Sequence, residues 1–248
     1  MAIFPCLVTY AGEGCSDTSG PIEVDRPDVT NSSAVVPTGS VQVENGINWT
    51  DQRVARTFDG TNTRVRASVG GCSEVLVDLP DYQRRLNGDA ATGFTAISPA
   101  VKHQFAPLPG EVQWSGTLGV ALPTAAAGVA DRGYIPYLQF PWSHEISQDW
   151  SLSGMLTTFW SPAVPRQHVR VEPTLSLGRE FGPNRDLFVE YVGEYFDRGG
   201  SAQAINTGGA LRITRLQQLD FHLQFGLNEP APRYLFGIGY SIRWDQLY

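Results

Sequence analysis

The chain is short of lysine, of charge, of long apolar runs and of cysteine, and each shortage excludes something. Of its 18 basic residues only Lys102 is a lysine, set against 25 acidic residues and a net charge of −7. So acidic a chain lacks the basic patch that grips a nucleic-acid backbone, and no nucleic-acid partner is expected. Charged residues make up 17% and hydrophobic ones 42%, which argues against a disordered polyelectrolyte. A mean hydropathy of −0.18 excludes a bundle of membrane helices. It does not exclude a membrane barrel, in which apolar and polar residues alternate and average out.

The longest uncharged run, Val112–Ala130, is long enough for a spanning helix. It contains Gln113, Ser115, Gly116, Gly119, Pro123 and Gly128, and its first half alternates, so it reads as a strand, a turn and a loop. Met1–Ala11 is apolar but short, carries Pro5 and has no basic start, which makes it a poor export leader as it stands. Cys6, Cys15 and Cys72 have no C-x-x-C spacing and no nearby histidine, so no metal is expected. A Cys15–Cys72 disulfide and plain thiols both stay open.

What the chain has is punctuation and alternation. Gly12, Gly14, Gly20, Pro21, Pro27 and Pro37 break up residues 1–38, which predicts an irregular extended segment packed against or inside the body formed by residues 39–248. From Gly39 onward the pattern has period two. In Val169–Phe181, Val169, Val171, Leu175 and Leu177 fall on one face and Arg170, Glu172, Thr174 and Ser176 on the other. Leu219–Asn228 opposes Leu219, Phe221, Leu223 and Phe225 to Asp220, His222 and Gln224. Tyr234–Trp244 opposes Tyr234, Phe236, Ile238 and Tyr240 to glycines, Ser241 and Arg243. Nine weaker segments bring the count to twelve strands, one per about 17 residues over Ser40–Trp244, the spacing of a barrel with short turns at one end. Pro99 and Pro173 fall inside strands and predict a bulge or a strand end there.

Alternation alone fits a soluble sandwich or a membrane barrel. The polar faces carry Gly, Ser, Asn and Gln with a few Arg and Glu, not the Lys, Glu and Thr of a solvated sheet. Aromatics gather near strand ends: Tyr234 and Trp244, Trp150 and Trp160, and Tyr134, Tyr137 and Trp142. Amphipathic rings at that height form interfacial girdles. The predicted fold class is therefore all-β: a transmembrane, up-and-down antiparallel barrel of about twelve strands behind an irregular N-terminal segment.

Several blocks, weak singly, are specific in their order. Asp25-Arg26-Pro27-Asp28-Val29-Thr30 leads to Gly39–Gly46, then Leu79-Pro80-Asp81-Tyr82 and Leu122-Pro123-Thr124, where Ala125 replaces a glycine. Gln139–Ser143, Leu177-Gly178-Arg179, Phe188-Val189-Glu190-Tyr191 and Gly226-Leu227-Asn228 follow. Together they resemble a family of Gram-negative outer-membrane proteins assigned to transport in the meta-pathway of phenol degradation. The resemblance implies a barrel in the bacterial outer membrane, in contact with its lipid, acting as a channel for small hydrophobic or aromatic molecules. The alternative is a non-conducting barrel that anchors protein partners. The final Tyr248, in phase with Ile242 and Trp244, resembles the aromatic end of such barrels.

No nucleophile elbow, phosphate loop or dinucleotide fingerprint is present, so no enzyme and no cofactor are expected. Asp220 with His222, and Ser143-His144-Glu145, are the nearest catalytic candidates, and a lone His–carboxylate pair is more often a structural hydrogen bond. The better functional candidates are the charges in lumen phase: Arg170, Glu172, Glu190, Glu194, Arg212, Asp220, His222 and Arg243. They predict either a polar, selectivity-setting constriction or a plug of paired charges. The N-terminal segment is a second candidate for occupying the lumen.

Overall fold

The computed structural model describes residues 15, 20–88, 91–130, 133–161, 168–197 and 200–248. Met1–Ala11 and Cys6 lie outside the described residues. Every regular element among those described is a strand, and no helix is long and apolar enough to cross a membrane.

The first half of the chain gives β1 (Val41–Asp51), β2 (Arg56–Gly70), β3 (Ser73–Asp78), β4 (Tyr82–Asn87), β5 (Gly93–Phe94), β6 (Ser98–Gln104) and β7 (Gln113–Ala121). The second gives β8 (Ile135–Glu145), β9 (Trp150–Ser161), β10 (His168–Glu180), β11 (Arg185–Phe196), β12 (Ser201–Thr214), β13 (Gln217–Gly226) and β14 (Tyr234–Trp244). All pairings are antiparallel, and β1 closes on β14 in unbroken register from Val41↔Trp244 to Asp51↔Tyr234. β3 and β4 pair with successive stretches of β2, and β6 and β5 continue the next stave. Each couple is one stave broken at mid-height, so the closed barrel has twelve staves, as the spacing predicts. Pro80 sits in the first break, where it has no N–H to give the ladder. Pro99 stands at the start of β6, and Pro173 in β10 coincides with a gap in the β10–β11 pairing between Val171 and Thr174.

The barrel is apolar outside and polar within. Arg66, Lys102, Gln42, Glu44, Glu74, Glu190 and Asn206 are among its most deeply buried side chains. Leu175, Leu219, Phe221, Phe225, Phe236 and Ile238 are exposed. Lipid enforces this phase: a one-residue slip would turn the luminal arginines outward, at about 2–4 kcal/mol each near the bilayer midplane.

Short turns, such as Arg215–Leu216, lie at the end that holds both barrel termini, which is the periplasmic end of such barrels. The Trp49 and Tyr234 rings lie 5.3 Å apart, tilted, at the outer rim, while Trp150 and Trp244 mark the inner one. Tyr137 departs from the predicted girdle. It is buried in the lumen, in phase with Gln139 and Ser143, and its ring lies 5.7 Å from that of Phe159. Tyr248 also departs from its in-phase reading. The chain turns after Trp244 through Gln246, at φ 57°, and the Tyr248 hydroxyl donates to the Ser68 carbonyl.

Candidate functional site in the lumen

Residues 20–40 form a loop inside the lower half of the barrel. The loop enters at the periplasmic end, where Arg243 donates to the carbonyls of Gly20 and Pro21 and Ile22 N–H to that of Arg215. It crosses the lumen at residues 26–30 and returns along the opposite wall. On the way back Asn31 donates to Gln139, the Ser33 and Ser143 hydroxyls pair, and Val36 N–H donates to Glu74. Upstream of the loop, Cys15 is disulfide-bonded to Cys72 in the β2–β3 turn.

One flank of the loop is held by ions. Arg66 lies 2.9 Å from Glu74, 3.2 Å from Glu44 and 3.4 Å from Asp25. Arg64 joins Asp25 at 2.9 Å to Asp78 at 2.7 Å. The chain's single lysine, Lys102, stands 3.5 Å from Asp25 and donates to the Ser32 carbonyl at 2.6 Å. Burial alone would raise the Asp25 carboxyl, but Arg66, Lys102 and Arg64 outweigh it and hold the group well below the usual carboxylate range. Three cations among four carboxylates satisfy the rule that buried charge must be paired.

The other flank is held more lightly. Arg26 reaches Asp220 at 3.4 Å, and its buried Nε and the Asp220 Oδ2 have no partner. The guanidinium lies in a slot floored by Gly46 and Gly239, where a Cβ on either residue would collide with it. His222 bridges Asn206 and Asn48 at 3.4 and 3.3 Å. Glu190, fully buried on β11, accepts from Val29 N–H at 2.9 Å, Thr30 N–H at 2.8 Å, the Thr30 hydroxyl at 2.7 Å and Asn206 at 2.9 Å. No cation among the described residues forms an ion pair with Glu190. Burial and the neighbouring Glu190 push the Asp28 carboxyl well above the usual range.

Above the loop the described residues leave space in the lumen. A cavity of about 520 Å³ lies at the outer mouth against Ala121, Ile135, Phe159, Arg170 and Phe196. The Arg170 guanidinium sits 4.0 Å from the Phe159 ring centroid, a cation–π contact, and 3.8 Å from Glu194. Phe196 is the register partner of Arg170, so an aromatic face lies on either side of this arginine along the wall. A second cavity, about 340 Å³, reaches from Arg26–Val29 to Leu79, Asp81, Thr95 and Ala96 at the broken staves.

The eight residues marked from sequence do not form one ring. Arg170, Glu172 and Glu194 lie on the luminal face of the outer mouth, with Arg170 and Glu194 in contact. Glu190, Asp220 and His222 stand at mid-height and hold the loop or its surroundings. Arg212 pairs with Glu180 at 3.3 Å and Arg243 with Asp245 at 2.7 Å, both at the periplasmic end. Asp220 bonds Arg26, not His222. The residues sequence reasoning missed are Arg64, Arg66, Glu44, Glu74 and Lys102. Their signal was the same lumen phase, in strands whose alternation is weaker.

A search of curated proteins finds no match. Among solved structures the fold is similar to the COG4313 outer membrane channel from Pseudomonas putida F1, at TM-score 0.67 and 13% identity over 90% of this chain and 100% of that one. It is also similar to the NanC porin, at 0.58 and 7% over 82% and 98%. The KdgM porin in complex with disordered oligogalacturonate matches at 0.55 and 6%, also over 82% and 98%. These likenesses show the fold. The family described as "Putative MetA-pathway of phenol degradation" matches residues 24–244, every strand of the barrel and most of the luminal loop. The chain belongs to that family, and it is a closed twelve-stave barrel of the bacterial outer membrane.

Proposed function

We propose that the protein is an outer-membrane channel that admits small aromatic molecules bearing a hydroxyl or carboxylate. The observation that carries this reading is the outer mouth, where Phe159, Phe196 and Arg170 stand on a luminal wall otherwise rich in Ser, Thr, Gln and Gly. An aromatic solute finds ring faces there, and a guanidinium whose plane stacks on rings and whose edge donates to oxygen. The family's description, which names phenol degradation, supports this solute class, and the channel and porin neighbours support a channel.

The test is uptake of benzoate or phenol into vesicles carrying the purified protein. Phe159→Ala and Arg170→Ala should each slow uptake several-fold while leaving the heat-dependent gel mobility of the folded barrel intact. Uptake unchanged in both variants would overturn the reading. A folded barrel that passes no solute and co-purifies stoichiometrically with another chain would establish the anchoring alternative. The cavity at the broken staves favours sideways release as the exit, and Ala96→Trp in the same assay decides it. Filling that cavity stops uptake if solute leaves through the wall and spares it if solute leaves along the axis.

A further inference from the structure

Two cavities lie one above the other on the same strip of wall. The upper, about 680 Å³, meets Val192, Ala204 and Gln224 and extends to Glu229–Pro232 at the outer end. The lower, about 270 Å³, meets Phe188, Ala210 and Gln218 and extends to Glu180 and Arg212 at the periplasmic end. Strand register places Glu190↔Asn206 between Val192↔Ala204 above and Phe188↔Gly208 below. One luminal layer, about 7 Å of strand, therefore separates the two spaces. Residues 28–30 fill that layer from the loop side, and three hydrogen bonds from Val29 and Thr30 to Glu190 fix them there, while Asn206 of the wall steadies the carboxylate with a fourth.

We propose that Glu190 is the latch of a second, axial path, and that release of Asp28–Thr30 from it joins the two cavities into a conduit for ions and small hydrophilic solutes. The walls suit that cargo. Glu194, Gln203 and Gln224 line the upper space and Ser153, Ser176 and Gln218 the lower. Only the tip of the loop has to move, because Arg66, Arg64 and Lys102 hold the opposite flank of the same loop to β2, β3 and β6. Glu190 is suited to yield, since it holds the tip by hydrogen bonds without an ion pair and has another carboxylate, Asp28, beside it. This path is independent of the aromatic reading: it uses other cavities and carries another class of solute.

The test is conductance in planar bilayers, with swelling of L-arabinose-loaded vesicles as the solute readout. Glu190→Ala should raise both several-fold, and Glu190→Gln, which keeps the shape and loses the charge, should raise them less. Where the alanine variant does not fold, the glutamine variant decides. A lock supplies the converse. The Thr30 and Thr174 hydroxyls meet at 2.5 Å, so Thr30→Cys with Thr174→Cys, in a chain whose Cys6, Cys15 and Cys72 are serine, places two thiols within bridging distance. Added to the Glu190 variant, the oxidised lock should return conductance to the wild-type level and reduction should release it. Folded Glu190 variants that conduct like the wild type would overturn the proposal. So would an oxidised lock that leaves their conductance raised. Benzoate uptake on the same preparations reads the aromatic route separately.

Discussion

The two flanks of the luminal loop are held by different chemistry, and the difference separates what is fixed from what can move. Toward β2, β3 and β6 the loop meets Arg64, Arg66, Lys102, Glu74 and Asp78, a buried network in which each charge has at least one opposite partner within 4 Å. Toward β11–β13 it meets Glu190 and Asp220, through hydrogen bonds and one long ion pair with an orphaned atom at each end. Cavities open above and below this second contact, so its backbone could shift with little repacking. Breaking a buried ion network strands charge in a place it cannot leave. Breaking a hydrogen-bonded tip exposes groups to adjoining space that water can fill. The loop is thus an anchored arm with a releasable end.

The largest effect should come from attacking the anchored flank. Arg66→Ala leaves Glu44 and Glu74 buried beside fewer cations, a loss of about 3–5 kcal/mol for a broken buried pair. The whole loop should then leave the lumen, with new protease cleavage within residues 20–40 and a conductance above that of Glu190→Ala. A variant that stays protease-resistant and no more conductive than the latch variant would erase the distinction between the flanks.

Much of this was legible in the sequence, and the limit has a physical reason. Period-two alternation gives phase, so the count of staves, the inverted exterior and the luminal orientation of Glu190, Asp220 and His222 could all be read. Phase does not give height. Whether Arg170 and Arg212 share a ring depends on stagger between strands and on turn lengths, and here they stand at opposite ends. The start of β2 is not legible in this way, because Arg56–Asn62 has Phe58 as its one large apolar residue and shows no alternation. Pro99 signals the start of β6, and Pro80 stands where the neighbouring stave breaks. Tyr137 was legible and misread: its phase with Gln139 and Ser143 outranks its nearness to a strand end. The Asp25–Arg66 contact carries no local signal, since it joins the loop to a strand across the lumen.

Acidity should separate the flanks by a smaller effect. Asp25 has its carboxyl lowered, so the stability it adds is full above the ordinary carboxylate range and is lost only in strong acid. Asp28 is raised by burial, by Glu190 and, more weakly, by Asp186 and Asp25, so the latched state binds its proton more tightly than the released one. The latch is therefore firmest below the ordinary carboxylate range and weakens as pH climbs through the raised value. Axial conductance of the wild type should rise with pH, and Asp28→Asn should hold it low and flat. Conductance that falls with pH, or a pH response unchanged in Asp28→Asn, would remove Asp28 from the latch.

The smallest effect belongs to the disulfide, and it tests whether tether or ion network sets the loop's position. The Cys15–Cys72 bond closes a stretch of 57 residues that contains β1, β2 and the whole loop. A cross-link of this kind stabilises by about 2–4 kcal/mol, mainly by restricting the unfolded chain. Removing it with Cys15→Ser and Cys72→Ser should lower the temperature at which the folded gel band is lost. It should leave resting conductance at the wild-type level, because Asp25 and Ser32 keep their contacts with Arg66, Arg64 and Lys102 without it. If conductance rises instead, the loop is held from its upstream end, and the ion network merely neutralises charge that the barrel has buried.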